Sequence, residues 1–343
     1  MNPSVKINCI ELTWVESKEK LAEWENLLIE SDFPHPFCSF TFYNAWVETF
    51  VDDLTQIKML FFYNGNNLVG LAPILIDHNN KNVSILGDKD LFDYRDIIYI
   101  SEFAEEIYIE FLSYLKLQPW FQGFTILMQS IPESSELFNM INNNKLNSFA
   151  DAEIKEEDVT PIYDKAGMGV NGGWDNYLLA LKKKQRHEIR RKLRKFESQD
   201  FQFKIIRNND DLSEFLSDFY ELFINSRQDK KEFLTEERKT FFNKMLFAFA
   251  EKNELQILSY YDDNALISAC IVIEYANIYF LYNSAYSLDY NSFSVGLVSK
   301  IIALKQSVES NYHAFNFLRG NERYKYELGG KDIKLYEIKL LVN

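Results

Sequence analysis

Sulfur and imidazole are scarce in this 343-residue chain, which has three cysteines, Cys9, Cys38 and Cys270, and four histidines, His35, His78, His187 and His313. The cysteines are odd in number and far apart, so they fit reduced thiols and supply no disulfide frame. The histidines are as scattered, none with a ligand spacing, and no metal site is expected. Long apolar runs are missing as well. The most apolar stretch, ISACIVIEYANIYFLY, is broken by Glu274 and Asn277 and falls short of the roughly 18 to 20 residues of a membrane-spanning helix. The start, MNPSVKINCIELTW, has no cationic segment leading into an apolar run, the mark of a secretory signal. A cytoplasmic location is the expectation. Positive charge is the remaining shortage, with 37 Lys and Arg against 51 Asp and Glu and a net charge of −14. Nucleic acid and anionic lipid attract proteins through broad positive fields, so wholesale binding to either is excluded. Any anion site must be local.

What is abundant is apolar and aromatic surface, 47% and 16% of residues. That rules out a disordered or low-complexity chain, and the length suits two globular domains at roughly 150 residues each. Against the acidic background stands KKKQRHEIRRKLRK, Lys182 to Lys195, with nine cations and one Glu; the rest of the chain carries −22. It lies within WDNYLLALKKKQRHEIRRKLRKFES, which follows the Gly-containing AGMGVNGG and reads as a linking helix. Ile189, Leu193 and Phe196 form one apolar stripe on it, and Arg186, Arg190 and Arg194 line another. The bland outcome for such a run is a solvated face. The sharper one is that part of the arginine stripe meets phosphate, on a donor or on a phosphate-bearing acceptor.

The chain repeats itself. FFYNGNNLVGLAPILI (Phe61 to Ile76) lies over LSYYDDNALISACIVI (Leu258 to Ile273) without a gap at an offset of 197, and both read as β-hairpins with polar turns. The flanks follow the same order. VKINCIEL and FQFKIIRN read as strands. KEKLAEWENLLIES and FTFYNAWVETF read as helices, as do DDLSEFLSDFYELFINSR, opened by a capping box of Asp211 and Glu214, and LTEERKTFFNKMLFAFAEK, capped by Thr235. Downstream come VSILGDKDLFDYRDIIYI, the helix EEIYIEFLSYLKL and the strand GFTILMQSI in one half. The other half has NIYFLYNSAYS, the helix SVGLVSKIIALKQSVE and the strand HAFNFLRG.

Strand, two helices, three strands, helix, strand resembles the layout of the GNAT acyltransferase superfamily. FNFLRGNERYKYELGG (Phe315 to Gly330), LFDYRDIIY, FCSFTFYNAWVETF and the basic run resemble, in order, the tandem GNAT-like acetyltransferases of the cellulose-biosynthesis type, relatives of Fem-type aminoacyltransferases. The resemblance implies an α/β (α+β) fold of two GNAT-like domains, each a mixed twisted sheet with helices on both faces. They would span residues 1–170, with a degenerate donor site and acceptor binding, and 171–343, with the basic helix and an acyl-CoA site. It implies acyl transfer, chiefly of acetyl, from acyl-CoA to an amine or hydroxyl of a sugar, lipid or cell-envelope precursor. Nucleic acid enters only through the alternative of a Fem-type enzyme using aminoacyl-tRNA; against it, QDKKEF leaves no room for a long coiled-coil insertion. A catalytically inert binding protein of the same fold is the third reading.

In that fold the donor pyrophosphate meets a loop and helix N-terminus after the fourth strand. The first half offers Glu102, Glu105 and Glu106 there, which repel a polyanion. The second offers Ser292, Ser294, Val295, Gly296, Leu297 and Lys300, the expected donor site. Relatives carry an acidic residue and prolines in this loop, where this chain has Ser287, Leu288 and Val295. The resemblance puts a proton donor for the leaving thiolate among Tyr324, Lys325 and Tyr326; Tyr324 is preferred, Tyr326 stays open, and helix-face packing is the rival role. Arg319 is placed as a ligand contact, with a structural ion pair to Glu322 as the alternative. Asp93, Tyr94 and Asp96 are expected to hold the acceptor, Asp96 also as proton acceptor, in a cleft shared by the halves; a polar turn is the competing reading.

Overall fold

The computed structural model describes residues 6–167, 169, 172–226 and 228–343. Met168, Val170 and Asn171 of AGMGVNGG, residues 1–5 of the opening segment and Arg227 lie outside them. Contacts divide the chain into two compact units. One runs to Val159 and regains Ile333–Asn343, and the other is Thr160–Asp332. The expected boundary at 170/171 falls on residues outside the described set; the division by contacts comes earlier, and the chain's last strand returns to the first unit.

The elements follow in chain order. First come β1 (Ile7–Leu12), α1 (Trp14–Ser17), α2 (Leu21–Glu30), α3 (Phe40–Phe50), β2 (Ile57–Asn64), β3 (Asn67–Asp77), β4 (Asn82–Ile85) and β5 (Ile98–Tyr99). Next are α4 (Ala104–Lys116), β6 (Thr125–Pro132), α5 (Glu136–Asn142) and β7 (Ala150–Asp164). The second unit adds α6 (Trp174–Ala180), α7 (Lys183–Glu197), β8 (Gln202–Ile206), α8 (Asn209–Ser226), α9 (Gln228–Phe233) and α10 (Glu236–Glu251). Then come β9 (Leu255–Asp262), β10 (Ala265–Tyr275), β11 (Ile278–Tyr286), α11 (Val295–Glu309), β12 (Ala314–Asn316), α12 (Arg323–Glu327) and β13 (Lys331–Val342). None of the helices among the described residues is long and apolar enough to cross a membrane.

Within the first unit the strand order is β1-β2-β3-β4-β6-β13, and within the second it is β7-β12-β11-β10-β9-β8. Each sheet is mixed, antiparallel except where β4 meets β6 and β11 meets β12. Leu60, Phe61 and Phe62 are all fully buried, so both faces of β2 are covered, as in α/β proteins. Ile107, Phe111 and Leu115 of α4 pack on the face that carries Leu60 and Phe62. In the second unit Ile189, Leu193 and Phe196 of α7 join Val295, Val298 and Ile301 of α11 against Leu258, Cys270 and Val272. Phe219, Phe223 and Leu246 of α8 and α10 gather with Ile271, the sequence neighbour of Cys270 and Val272.

The repeat is present, one residue out of the expected register. β2 and β3 end with the turn Gly65-Asn66 between them, and β9 and β10 with Asp263-Asn264. Gly65 and Asp263 both take positive φ, 62° and 52°. Val69 is the extra residue of a bulge in β3, and Ile267 in β10. Turns, bulges and strand bounds all correspond at an offset of 198, where sequence similarity gave 197. A one-residue slip normally exchanges buried and exposed faces, but strands buried on both faces carry no alternation to expose it.

Caps explain the helix starts. Thr235 accepts from the Arg238 N–H at 3.2 Å, as expected. Asn208, rather than Asp211, caps α8: its side chain accepts from the Asp211 N–H at 3.2 Å, which puts Asp211 in the first turn. QDKKEF forms α9, a short helix between α8 and α10.

The two units differ in the strand before the donor-type helix. In the second unit β11 is continuous, with Tyr282 as a bulge opposite Ile271/Val272. In the first, β3 pairs with β4 as far as Ile74↔Ile85 and with β5 again from Leu71↔Ile98. Residues 86–97 therefore stand where 282–284 do in the second unit. This excursion is packed: Gly87, at φ 102°, lies against the Phe92 ring, 2.7 Å from where a Cβ would stand, and Phe92 meets Phe42 and Tyr43.

Candidate active site

The segment WDNYLLALKKKQRHEIRRKLRKFES does not make one linking helix, although its basic run lies in one, α7. The backbone is extended at Leu181 (φ −77°, ψ 157°) and Lys182 (φ −59°, ψ 145°), which separates α6 from α7 and turns Leu181 into the core beside Tyr177 and Leu178. The Lys182 N–H, freed by the break, donates to Gln185 Oε1 at 3.1 Å. From there Ile189, Leu193 and Phe196 are buried as the spacing predicts, and the cations between them are displayed.

A cleft of about 1400 Å³ opens beside α7. Its walls include Lys182, Arg186, Arg190 and Lys192 of the basic segment, Leu297 and Ile301 of α11, and Arg323, Tyr324 and Glu327 of α12. Arg186 is half-buried, and its Nη1 donates to the Leu179 carbonyl at 3.3 Å. Arg190 is more open, 4.0 Å from Asp175. Arg194 is exposed and outside the cleft. The structure thus divides the expected stripe.

The start of α11 meets two other cations of α7, which the sequence reading did not single out. Lys192 Nζ donates to Ser294 Oγ at 2.8 Å, and Lys195 Nζ to the Ser292 carbonyl at 2.6 Å. A signal was present: Lys192 and Lys195 follow Glu188 along the other flank of the buried stripe Ile189, Leu193 and Phe196, away from the arginines. Ser294 takes the left-handed conformation (φ 57°, ψ 36°), and its carbonyl accepts from both Leu297 N and Val298 N at 2.9 Å. Val295 and Gly296 are buried. A Cβ on Gly296 would stand 2.5 Å from the Tyr286 ring, so glycine here lets the first turn lie on the end of β11. Two ammonium groups and the positive end of a helix dipole therefore converge on one short loop.

Lys300 is placed differently from the expectation. It is 7% exposed, its Nζ donates to the Gly296 carbonyl at 2.7 Å, and it lies 5.5 Å and 5.4 Å from the centroids of the Tyr286 and Tyr324 rings. Burial lowers its pKa. It braces the first turn of α11 against two aromatic rings instead of meeting phosphate.

The three residues of the YKY word part company on α12. Tyr324 lines the cleft, edge-on to Phe317 at 6.2 Å, and burial pushes its phenol well above the ordinary value. Tyr326 turns away and donates to Asp332 Oδ1 at 2.8 Å. Lys325 is buried, and its Nζ holds the carbonyls of Leu318, Arg319 and Gly320 at 2.9, 2.6 and 3.0 Å and Glu322 at 2.9 Å. It is a clamp on the loop after β12, not a reacting group. That loop begins early: β12 stops at Asn316, and Leu318 and Gly320 take positive φ. Arg319 consequently sits in the loop rather than at a strand end, half-buried, and Lys325 pairs with Glu322.

In the first unit Asp93, Tyr94 and Asp96 all fall in the excursion 86–97 or at its end, and their surroundings differ. Tyr94 is 1% exposed, packed on Phe33, His35 and Phe37 at 5.0, 5.2 and 6.1 Å; it is core and offers an acceptor no surface. Asp93 is half-buried and lies outside the cavity that Asp96 lines. Asp96 accepts from the Ile97 N–H at 2.7 Å and from Tyr108, and burial raises its carboxyl to about 6. The first turn of α4 carries Glu105 and Glu106, with Glu105 paired to Lys145. Where α11 begins under two lysines, α4 begins with carboxylates. Among the described residues there is no cluster of three or more metal-ligating side chains.

Parallel strands β11 and β12 that pair only over Ile278–Phe280, a helix that starts after the far end of β11, and a tyrosine in the adjoining cleft are features of the GNAT fold. Residues 183–326, which lie in the second unit, match the family model described as acetyltransferase (GNAT) domain, and the chain has the fold of proteins with two such domains in tandem. Among solved structures it is similar to FemX, with a TM-score of 0.63, 11% identity and 96% of each chain covered. It is also similar to L-PGS from Bacillus licheniformis, with a TM-score of 0.56, 14% identity, and 93% of this chain and 90% of that one covered. A tandem GNAT protein from the clavulanic acid biosynthesis pathway covers 98% of both chains, with a TM-score of 0.52 and 9% identity. At these identities the likeness is one of fold. Comparison with curated proteins gives no match.

Proposed function

We propose that the chain is an N-acyltransferase that takes an acyl group, in the simplest case acetyl, from acyl-CoA and delivers it by direct attack to an amine or, as the less favoured acceptor, a hydroxyl. A sugar, lipid or cell-envelope precursor is the proposed bearer of that group. One observation carries the reading: within the region matched to the GNAT domain, a single cleft brings together Tyr324, Leu297 and the cations of α7. Cations suit the phosphates of CoA, and the start of α11, with Ser292, Ser294 and the turn through Leu297, suits its pyrophosphate.

The chemistry asked of the chain is modest. The acceptor's lone pair attacks the thioester carbonyl, a C–N bond forms, the C–S bond breaks, and the acceptor's proton leaves to solvent. Positioning supplies much of the rate. Tyr324 gives its proton to the departing sulfur and is reprotonated from water. A buried phenol with a raised pKa stays protonated at working pH, so its contribution is confined to the transition state.

Kinetics of Tyr324→Phe test the assignment. Turnover should fall by roughly 10² to 10⁴, the range of general acid catalysis, with donor affinity nearly unchanged. Tyr326→Phe, whose hydroxyl belongs to Asp332, should stay within about twofold of the parent. A loss at Tyr326 alone would move the role by two residues. Acyl transfer from aminoacyl-tRNA without any from acyl-CoA would replace this donor altogether.

A further inference from the structure

The first unit contains a cavity of about 280 Å³. It is walled by the segment after α2, by the end of the excursion with β5, and by residues 132–135 ahead of α5. Two carboxylates, Asp32 and Asp96, line it, together with the His35 imidazole, the hydroxyls of Ser101 and Ser135, and the Tyr99 ring; no Lys or Arg does. His35 is 6% exposed, and its Nδ1 has no hydrogen-bond partner. A buried polar atom left unpaired is costly, about 1–3 kcal/mol, and calls for a partner outside the resting structure. Burial lowers the imidazole pKa to about 3, so the ring is neutral at working pH and one of its nitrogens is an acceptor. Asp96 is steadied by Tyr108 and the Ile97 N–H, and Asp32 by the Ser101 hydroxyl.

Those groups specify a ligand. Carboxylates and a neutral imidazole accept hydrogen bonds and favour positive charge, and the absence of lining cations leaves an anion such as phosphate with no counter-charge. The volume lies just below the roughly 300–1,000 Å³ of pockets for drug-sized molecules, so the occupant is metabolite-sized. We propose that this cavity is a binding site for a small primary amine in its ammonium form, with the charge between Asp96 and Asp32 and an N–H or O–H donated to His35 Nδ1. The site lies within the first unit and does not depend on the donor assigned to the second.

Calorimetric titration of the full chain tests it with ethanolamine, putrescine and glucosamine, each beside its uncharged counterpart: ethylene glycol, 1,4-butanediol and glucose. At least one ammonium compound should bind at a single site, at least tenfold tighter than its counterpart. Asp96→Asn, which keeps an acceptor for Tyr108, and His35→Phe, which keeps a ring in the aromatic cluster, should each weaken that binding at least tenfold. Acetyl-CoA binding should be unchanged in both. No preference for charge in any pair, or undiminished binding in Asp96→Asn, overturns the proposal. Should a variant fail to fold, the charged and uncharged pairs on the unaltered protein still decide.

Discussion

Two tyrosines two positions apart on α12 show how much a side chain's role depends on its direction. Tyr324 faces the cleft and Tyr326 faces Asp332, a difference of two positions on a helix that no composition or motif resolves. The same holds for Lys325 and Tyr94, whose residue types suit chemistry and which the fold uses as a clamp and as core. Asp96 was legible as a strand-end carboxylate, and His35 was not, since a lone histidine carries no pattern. The buried Asp96 also makes a prediction about stability. Its pKa rises from 3.8 to about 6 on folding, so the folded chain holds the proton more tightly than the unfolded one. Below pH 4 both states are protonated; between about pH 4 and 6 the unfolded state ionises first and stability falls; above 6 the loss is complete. Thermal melts should therefore find Asp96→Asn gaining stability over the parent at pH 7, and gaining less or nothing at pH 4. A larger gain at pH 4 would show that burial does not strain the carboxylate.

At the scale of elements, helices were read more faithfully than strand register. Periodicity and caps placed α4, α10 and α11, and the apolar stripe of α7, because a helix half in water writes its buried face into every turn. β2, β3, β9 and β10 are covered on both faces, and their nearly continuous apolar runs allowed the repeat to slip by one residue. The break between α6 and α7 was invisible because Leu181 continues an apolar pattern while its backbone leaves the helix. Contact between α7 and the start of α11 yields a test of the basic segment. Lys192→Met and Lys195→Met should each raise the KM for acyl-CoA about tenfold, the loss of roughly 1.5 kcal/mol expected for a charge-assisted bond, with turnover little changed. Arg194→Gln, outside the cleft, should change neither. Equal effects at Lys192 and Arg194 would mean that α7 acts only through its net charge. Gly296→Ala brings a methyl against the Tyr286 ring, and strain from such overpacking is typically 1–3 kcal/mol. Lower melting with weakened donor binding is the expected pair of changes, and a parent-like variant would show that the turn can yield.

For the whole molecule, the sequence announced two related units and their asymmetry, and it placed the boundary where no strong composition shift lies. It could not show that Ile333–Asn343 rejoins the first unit, because strand pairing across such a separation leaves no local mark. Both units share an order of elements, and only one has the matched acetyltransferase domain, a helix start under Lys192 and Lys195, and a tyrosine in an adjoining cleft. The other begins its corresponding helix with Glu105 and Glu106. Like charge at that point repels a polyphosphate, so on the proposed function the donor site is not expected to be duplicated with the fold. Calorimetric titration of the full chain with acetyl-CoA, beside the same titration of a Lys192→Met, Lys195→Met double variant, tests this most directly. The account predicts one molecule bound per chain and a loss of roughly a hundredfold in affinity in the double variant, two charge-assisted bonds being removed. Two equivalent sites, no binding by the parent, or equal affinity in the two proteins would contradict it.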